Sequence, residues 1–182
     1  MNIEKIGVFC SSSADLDSLY YEQAELLGKW IGENEKTLIY GGSRCGLMEA
    51  VAQGVHKTGK GIVVGVIPKI LIDREMVSEC VGIKVPTEGL TDRKAWLIKL
   101  SDVMVAMPGS VGTLDEAFSV MSENAIGINT KKVIFWNING FWDGLFSMFE
   151  GLKQTGVVNK PLEHFYMRAD TLEEVIKCIE SI

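Results

Sequence analysis

The chain is poor in the residues that announce a metal centre or a disulfide framework. Its 182 residues include four cysteines, Cys10, Cys45, Cys80 and Cys178, with no C-x-x-C pair, and two histidines, His56 and His164. That excludes the common zinc and dithiol motifs, and no metal site is expected. No stretch approaches the roughly 20 apolar residues of a membrane helix, so no membrane association is expected. The opening MNIEKIGVFCSSS lacks the basic flank and long apolar core of a secretion signal. These absences predict a cytoplasmic protein with reduced thiols. Positive charge is scarce as well: 18 Lys and Arg stand against 24 Asp and Glu, a net charge of −6. A broad nucleic-acid surface is therefore excluded, whereas a small anion site of a few amides and one or two cations is not.

Two nucleotide signatures are also missing. After the first strand-like run, CSSSAD stands where a dinucleotide fold would carry G-x-G-x-x-G, and the second run ends in Tyr40-Gly41-Gly42 rather than an acidic residue. The segment Gly54 to Lys60 approximates a P-loop, but Gly61 stands where a magnesium-binding hydroxyl belongs. It reads as a helix end and turn.

What is present is a globular composition, 47% hydrophobic and 23% charged, at a length suited to one domain spanning residues 1–182. Five short, continuously apolar runs read as buried strands: Lys5–Cys10, Thr37–Tyr40, Gly61–Ile67, Asp102–Met107 and Lys132–Trp136. Helical spacing fills Leu16–Asn34, Leu47–Lys57, Arg93–Leu100, Thr113–Ile126, Phe141–Leu152 and Leu172–Ile182. Alternation of strand and helix predicts a Rossmann-like, doubly wound parallel sheet with helices on both faces. Ligands of such sheets bind where strand ends lead into helices. Three loops fit that place: Ser11 to Ser13, Gly41-Gly42-Ser43 to Gly46, and Pro108 to Thr113. Glycines permit close ligand approach, and helix N-termini offer unpaired amides to a phosphate.

The segment PGSVGTLDE, Pro108 to Glu116, carries most information and leaves two readings open. Thr113-x-x-Glu116 has the spacing of a capping box, as does Thr171-x-x-Glu174 near the C-terminus, which has no glycines and reads as a cap alone. Alternatively the loop holds an anion and Glu116 faces the ligand. Arg93 and Lys94 open the preceding helix, and such a pair is ordinarily a solvated surface feature.

Taken together, GGSRCGLMEAVAQG (Gly41–Gly54), VIPKILIDRE (Val66–Glu75), DRK (Asp92–Lys94) and PGSVGTLDE resemble the Lonely Guy (LOG) family. Its members are cytokinin riboside 5′-monophosphate phosphoribohydrolases with a GGGxxGLMG, RK and PGGxGTxxE pattern. The resemblance runs from the first strand to about Trp142. It implies a cofactor-independent homodimer that hydrolyses the N-glycosidic bond of an adenine-type nucleoside 5′-monophosphate, with a small-molecule substrate and no nucleic-acid partner. By the same resemblance Arg93 and Glu116 match the catalytic pair. Ligand-binding positions match Glu75, Lys94, Gly109, Ser110, Val111, Gly112, Thr113, Leu114, Asp115 and Ser122, and the glycine loops add Ser11, Gly41, Gly42 and Ser43. Ser43, Ser110 and Glu49 depart from family glycines, and Thr91-Asp92 departs from the usual approach to the arginine.

That chemistry suits these side chains. A carboxylate such as Glu116 can stabilise an oxocarbenium-like C1′ and orient water, while the donor fork of Arg93 holds oxygens or assists the departing base. A non-catalytic nucleotide or cofactor carrier is the alternative, and it would need the loops but not the Arg93–Glu116 pair. Some members carry a lysine decarboxylase label, yet no segment here resembles a pyridoxal-phosphate lysine site.

Overall fold

The computed structural model describes residues 3–158 and 160–182. Seven strands form one sheet: β1 (Lys5–Phe9), β2 (Thr37–Tyr40), β3 (Ile62–Pro68), β4 (Ile83–Thr87), β5 (Val103–Ala106), β6 (Val133–Trp136) and β7 (Tyr166–Ala169). Every pairing is parallel, and the order is β4-β3-β2-β1-β5-β6-β7. The helices are α1 (Ser18–Glu33), α2 (Gly46–Thr58), α3 (Lys69–Asp73), α4 (Leu90–Leu100), α5 (Val111–Ala125), α6 (Asp143–Gln154) and α7 (Leu172–Glu180).

Strand side chains alternate between faces, so an unbroken apolar strand needs cover on both. In β5, Val103 and Val105 join the core beneath α1, α2 and α7, whereas Met104 and Ala106 join the one beneath α4, α5 and α6. Phe135 of β6 anchors the second core, edge-on to Trp142, Phe146, Phe149 and Tyr166. The doubly wound architecture follows, with two strands beyond the five apolar runs. Both lie at sheet edges. IKVPT of β4 has four residues at least partly open to solvent, with Pro86 tolerable because the outer side needs no donor. YMRA of β7 is four residues long with an exposed Arg168.

Helix signals place the ends within about two residues, except that α4 starts at Leu90, one turn before the expected Arg93. The Asp17 carboxylate accepts from the Leu19 amide at 2.9 Å to start α1, and left-handed Gly59 ends α2, so Gly54 to Lys60 is a helix end and turn. Among the described residues no helix is long and apolar enough to cross a membrane.

The chain runs outward in order from β1 to β4 on one side and resumes with β5 on the other side of β1. The topological switch therefore lies between β1 and β5, where their diverging crossovers leave a crevice at the strands' carboxyl ends. All three loops singled out in the sequence end there.

Candidate active site

A cleft of about 320 Å³ opens at the switch point. Ser11 to Ser13 from the β1 loop, Gly41 and Ser43 from the β2 loop, and Ser110, Gly112 and Thr113 from the start of α5 form its polar side. Met48, Leu71, Met76 and Leu90 form an apolar side. A larger groove, about 600 Å³, runs along the outer surface where α1 packs on α2, lined mainly by exposed Glu and Lys side chains and by none of the expected site residues.

The two helix starts differ. At α2, the Leu47 amide donates to the Ser11 carbonyl at 3.0 Å, and Gly46, at φ +59°, lies under the Ser11–Ser13 loop. A Cβ on Gly46 would sit 2.6 Å from Ser12 backbone carbon, so the loop can close over the helix end only above a glycine. At α5, Ser110 is the N-cap residue and its side chain makes no capping bond. The first bond into the helix is Leu114 N–H to Ser110 C=O at 3.1 Å, which leaves the Val111, Gly112 and Thr113 amides without helical acceptors. Free amides and the positive end of the helix dipole suit such a start to an anion.

The helix start also decides the role of Glu116. The capping-box spacing expected from Thr113 does not describe α5, because the N-cap lies three residues earlier and Glu116 falls in the second turn. Glu116 is 5% exposed and accepts through Oε1 from Arg93 Nη1 at 2.9 Å. Among the described residues no protein donor reaches its Oε2. Thr171 is the true cap: its hydroxyl accepts from the Glu174 amide at 3.3 Å, while Glu174 accepts from the Asp170 amide.

Arg93 is placed from three directions. Asp92 at the start of α4 accepts from the Glu88 and Gly89 amides at 2.7 and 2.8 Å, which fixes the helix end. Arg93 Nε donates to the Val66 carbonyl of β3 at 3.2 Å, and Nη1 reaches Glu116 on α5. Burial raises the Glu116 carboxyl above the ordinary carboxylate range, with the Arg93 charge pulling the other way. Cys10 lines the same cleft, but burial first and the Glu116 charge second push its thiol far up, which disfavours the thiolate.

The other expected residues divide clearly. Ser11, Gly41, Ser43, Ser110, Gly112 and Thr113 line the cleft with Arg93 and Glu116. Gly42 packs behind it against Ile67, and Gly109 packs against Thr113. Leu114 turns toward the core. Val111 is exposed beside the mouth. Lys94 leaves the cleft altogether, pairing with Asp115 at 2.7 Å on the outer side of α4 and α5. Ser122 is exposed further along α5, and Glu75, at φ +55°, is exposed in a neighbouring hollow with Arg44 and Lys84. The apolar side was not foreseen; Leu71, on the short α3 just after Pro68, was its one readable signal. Among the described residues no group of three His, Cys, Asp or Glu is arranged to hold a metal ion.

Fold and site together define a Rossmann-like protein with a small-molecule cleft at its switch point, built around an open helix N-terminus and a buried Arg–Glu pair. A family model described as "Possible lysine decarboxylase" matches residues 48–179. Cytokinin riboside 5′-monophosphate phosphoribohydrolase LOG3 of Arabidopsis thaliana is 35% identical over 97% of this chain and 81% of its own. A probable enzyme of the same name, LOGL2 of Oryza sativa subsp. japonica, is also 35% identical, over 97% of this chain and 72% of its own. The chain belongs to this LOG family. Among solved structures, the structural-genomics protein TM1055 is 26% identical with a TM-score of 0.76 over 99% of this chain and 100% of its own. The molybdenum cofactor carrier protein of Chlamydomonas reinhardtii shares the fold, at 23% identity and a TM-score of 0.76 over 99% and 98% of the two chains.

Proposed function

We propose that the protein hydrolyses the N-glycosidic bond of an adenine-type nucleoside 5′-monophosphate. The observation that carries this reading is the open α5 N-terminus placed beside the buried Arg93–Glu116 pair in one cleft. The 5′-phosphate takes the free amides of Val111, Gly112 and Thr113, and the ribose extends toward Glu116. As the bond from C1′ to the base nitrogen breaks, the electron pair leaves with the base and positive charge grows at C1′. The Glu116 carboxylate stabilises that charge and accepts a proton from the attacking water, whose oxygen becomes the new C1′ hydroxyl. The proton taken by Glu116 passes through solvent to the departing base, so that free base and ribose 5-phosphate result and the carboxylate is restored. A carboxyl raised by burial is a stronger base for that step. Arg93 holds Glu116 in place and keeps Nη2, which has no protein acceptor among the described residues, for a ligand oxygen or the leaving base.

A homodimer belongs to the same reading. Leu90 and Val111 beside the cleft and Trp96 further along α4 are 66%, 79% and 38% exposed, apolar surface that a second copy would cover. Lys94, Asp115 and Ser122 lie on this outer side, consistent with a site that reaches the interface. Light scattering at micromolar concentration is expected to give twice the chain mass, and a monomer mass would count against the assembly.

The carrier reading is favoured by one observation, the shared fold of proteins described as molybdenum cofactor carriers. It gives no task to a carboxylate held against an arginine inside the cleft. The decarboxylase label fits the residues poorly: among the described residues no lysine lines the cleft, so a Schiff-base nitrogen is wanting. Chromatographic detection of free base from a panel of nucleoside 5′-monophosphates decides between them. Base release supports the hydrolase; tight nucleotide binding without release supports the carrier.

A further inference from the structure

The second-strand loop GGSRCG has the composition of a phosphate cradle, but the Ser11–Ser13 loop lies over its helix start and the Ser11 carbonyl takes the Leu47 amide. Its first glycine has another neighbour. A Cβ on Gly41 would stand 2.0 Å from Arg93 Nη2 and 3.2 Å from Arg93 Cζ. The guanidinium therefore lies against the bare Gly41 backbone, where the next largest residue has no room. Gly41 is not among the residues with positive φ, so its backbone would accept alanine. Its requirement is for empty space.

We propose that Gly41 is a positioning residue for Arg93: its missing side chain is the seat of the guanidinium, and this, rather than ligand binding, is the work of that glycine. The other two supports of the guanidinium, the Val66 carbonyl and the Glu116 carboxylate, come from β3 and α5. With Gly41 of the β2 loop, three separate parts of the chain fix one planar group. Alanine at position 41 pushes Nη2 by about 1.5 Å to reach ordinary contact distance. Because Nη2 ends a flexible side chain, the fold survives by letting Arg93 swing. The swing sacrifices the bond to Val66, the bond to Glu116, or both. A displacement of that size in a catalytic group commonly costs about a hundredfold in rate.

This inference rests on the reading of Arg93 and Glu116 as the reacting pair, but its test does not depend on turnover. Gly41→Ala, Arg93→Ala and the double variant are compared by thermal unfolding, by affinity for adenosine 5′-monophosphate, and by base release. In the presence of Arg93, Gly41→Ala is expected to lower Tm by a few degrees and kcat by about a hundredfold, with nucleotide affinity no weaker than that of Arg93→Ala. In the Arg93→Ala background the same change is expected to be nearly neutral and to cause no further loss of rate, since the main obstruction is gone and the added methyl meets only the flexible Met48 side chain, with Sδ at 3.2 Å. If Gly41→Ala weakens nucleotide binding at least tenfold in both backgrounds, the glycine contacts ligand itself and the proposal is overturned. Equal Tm losses in both backgrounds would overturn it too. Should no variant, nor the parent protein, release base, the hydrolase reading fails while the Tm cycle still decides the role of Gly41.

Discussion

Gly41–Gly46 and Pro108–Thr113 are both glycine-rich turns from a strand into a helix, at the same end of the sheet, yet one helix start is covered by a protein loop that takes one of its amides and the other is uncovered. At α2 the Ser11 carbonyl takes the Leu47 amide, and the loop seats Arg93 against Gly41. At α5 three amides have no partner in the helix and the Ser110 side chain does not cap them. Glycine content therefore marks where backbone comes close to something, and the structure decides whether that something is a ligand, a side chain or another loop. A loop spent on internal packing protects geometry; a loop left unsatisfied has free energy to give to a ligand.

The largest expected effect concerns the acid on the open side. Glu116→Gln keeps shape and hydrogen-bonding reach but removes the charge. Turnover should fall a hundredfold or more, with nucleotide affinity retained because the α5 amides are untouched. Glu174→Gln, which alters an ordinary helix-cap neighbour, should leave activity intact. Steady-state kinetics of the two variants, with Tm alongside, measure this.

Next comes the open helix start itself. Ser110→Asp supplies the missing cap and a negative charge at once. It should raise stability by up to about 1 kcal/mol while raising KM for a monophosphate tenfold or more. At the start covered by the Ser11–Ser13 loop, Cys45→Ser adds a capping hydroxyl without charge; it should stabilise slightly and leave KM within about twofold. Denaturant unfolding and kinetics on both variants test the contrast between the loops, and similar KM shifts at the two positions would abolish it.

A smaller effect is expected from pH. With Glu116 raised by burial, the acid limb of kcat/KM should lie above the ordinary glutamate value of about 4.3. The native state holds this proton at a higher pH than the unfolded chain does. Its contribution to stability is therefore full below the unfolded value and declines as pH rises through the window between the two. Glu116→Gln should lose both features, as pH–rate and pH–stability profiles would show.

How much of this is legible in the sequence depends on whether local or distant atoms decide the matter. The five inner strands are apolar throughout because both faces are covered, and they can be read directly. The edge strands β4 and β7 lose that signal because one side needs no cover. Thr113-x-x-Glu116 and Thr171-x-x-Glu174 have the same spacing, but only the second begins a helix at its threonine. Spacing does not say where a helix starts. Lys94 stands next to Arg93 in sequence, yet helical geometry turns it outward to Asp115. The Ser11 carbonyl over α2 and the guanidinium over Gly41 join residues 36 and 52 positions apart, and no local pattern encodes them.

The account stands on one idea, that binding of the 5′-phosphate at the open α5 start is used to place C1′ against Glu116. The most direct measurement compares kcat/KM for adenosine 5′-monophosphate with that for adenosine, reading free adenine by chromatography under identical conditions. The monophosphate should be favoured by at least a hundredfold, because the riboside cannot draw on the amides of Val111, Gly112 and Thr113. Equal turnover of the two compounds would show that those amides have no part in the reaction and would contradict the account.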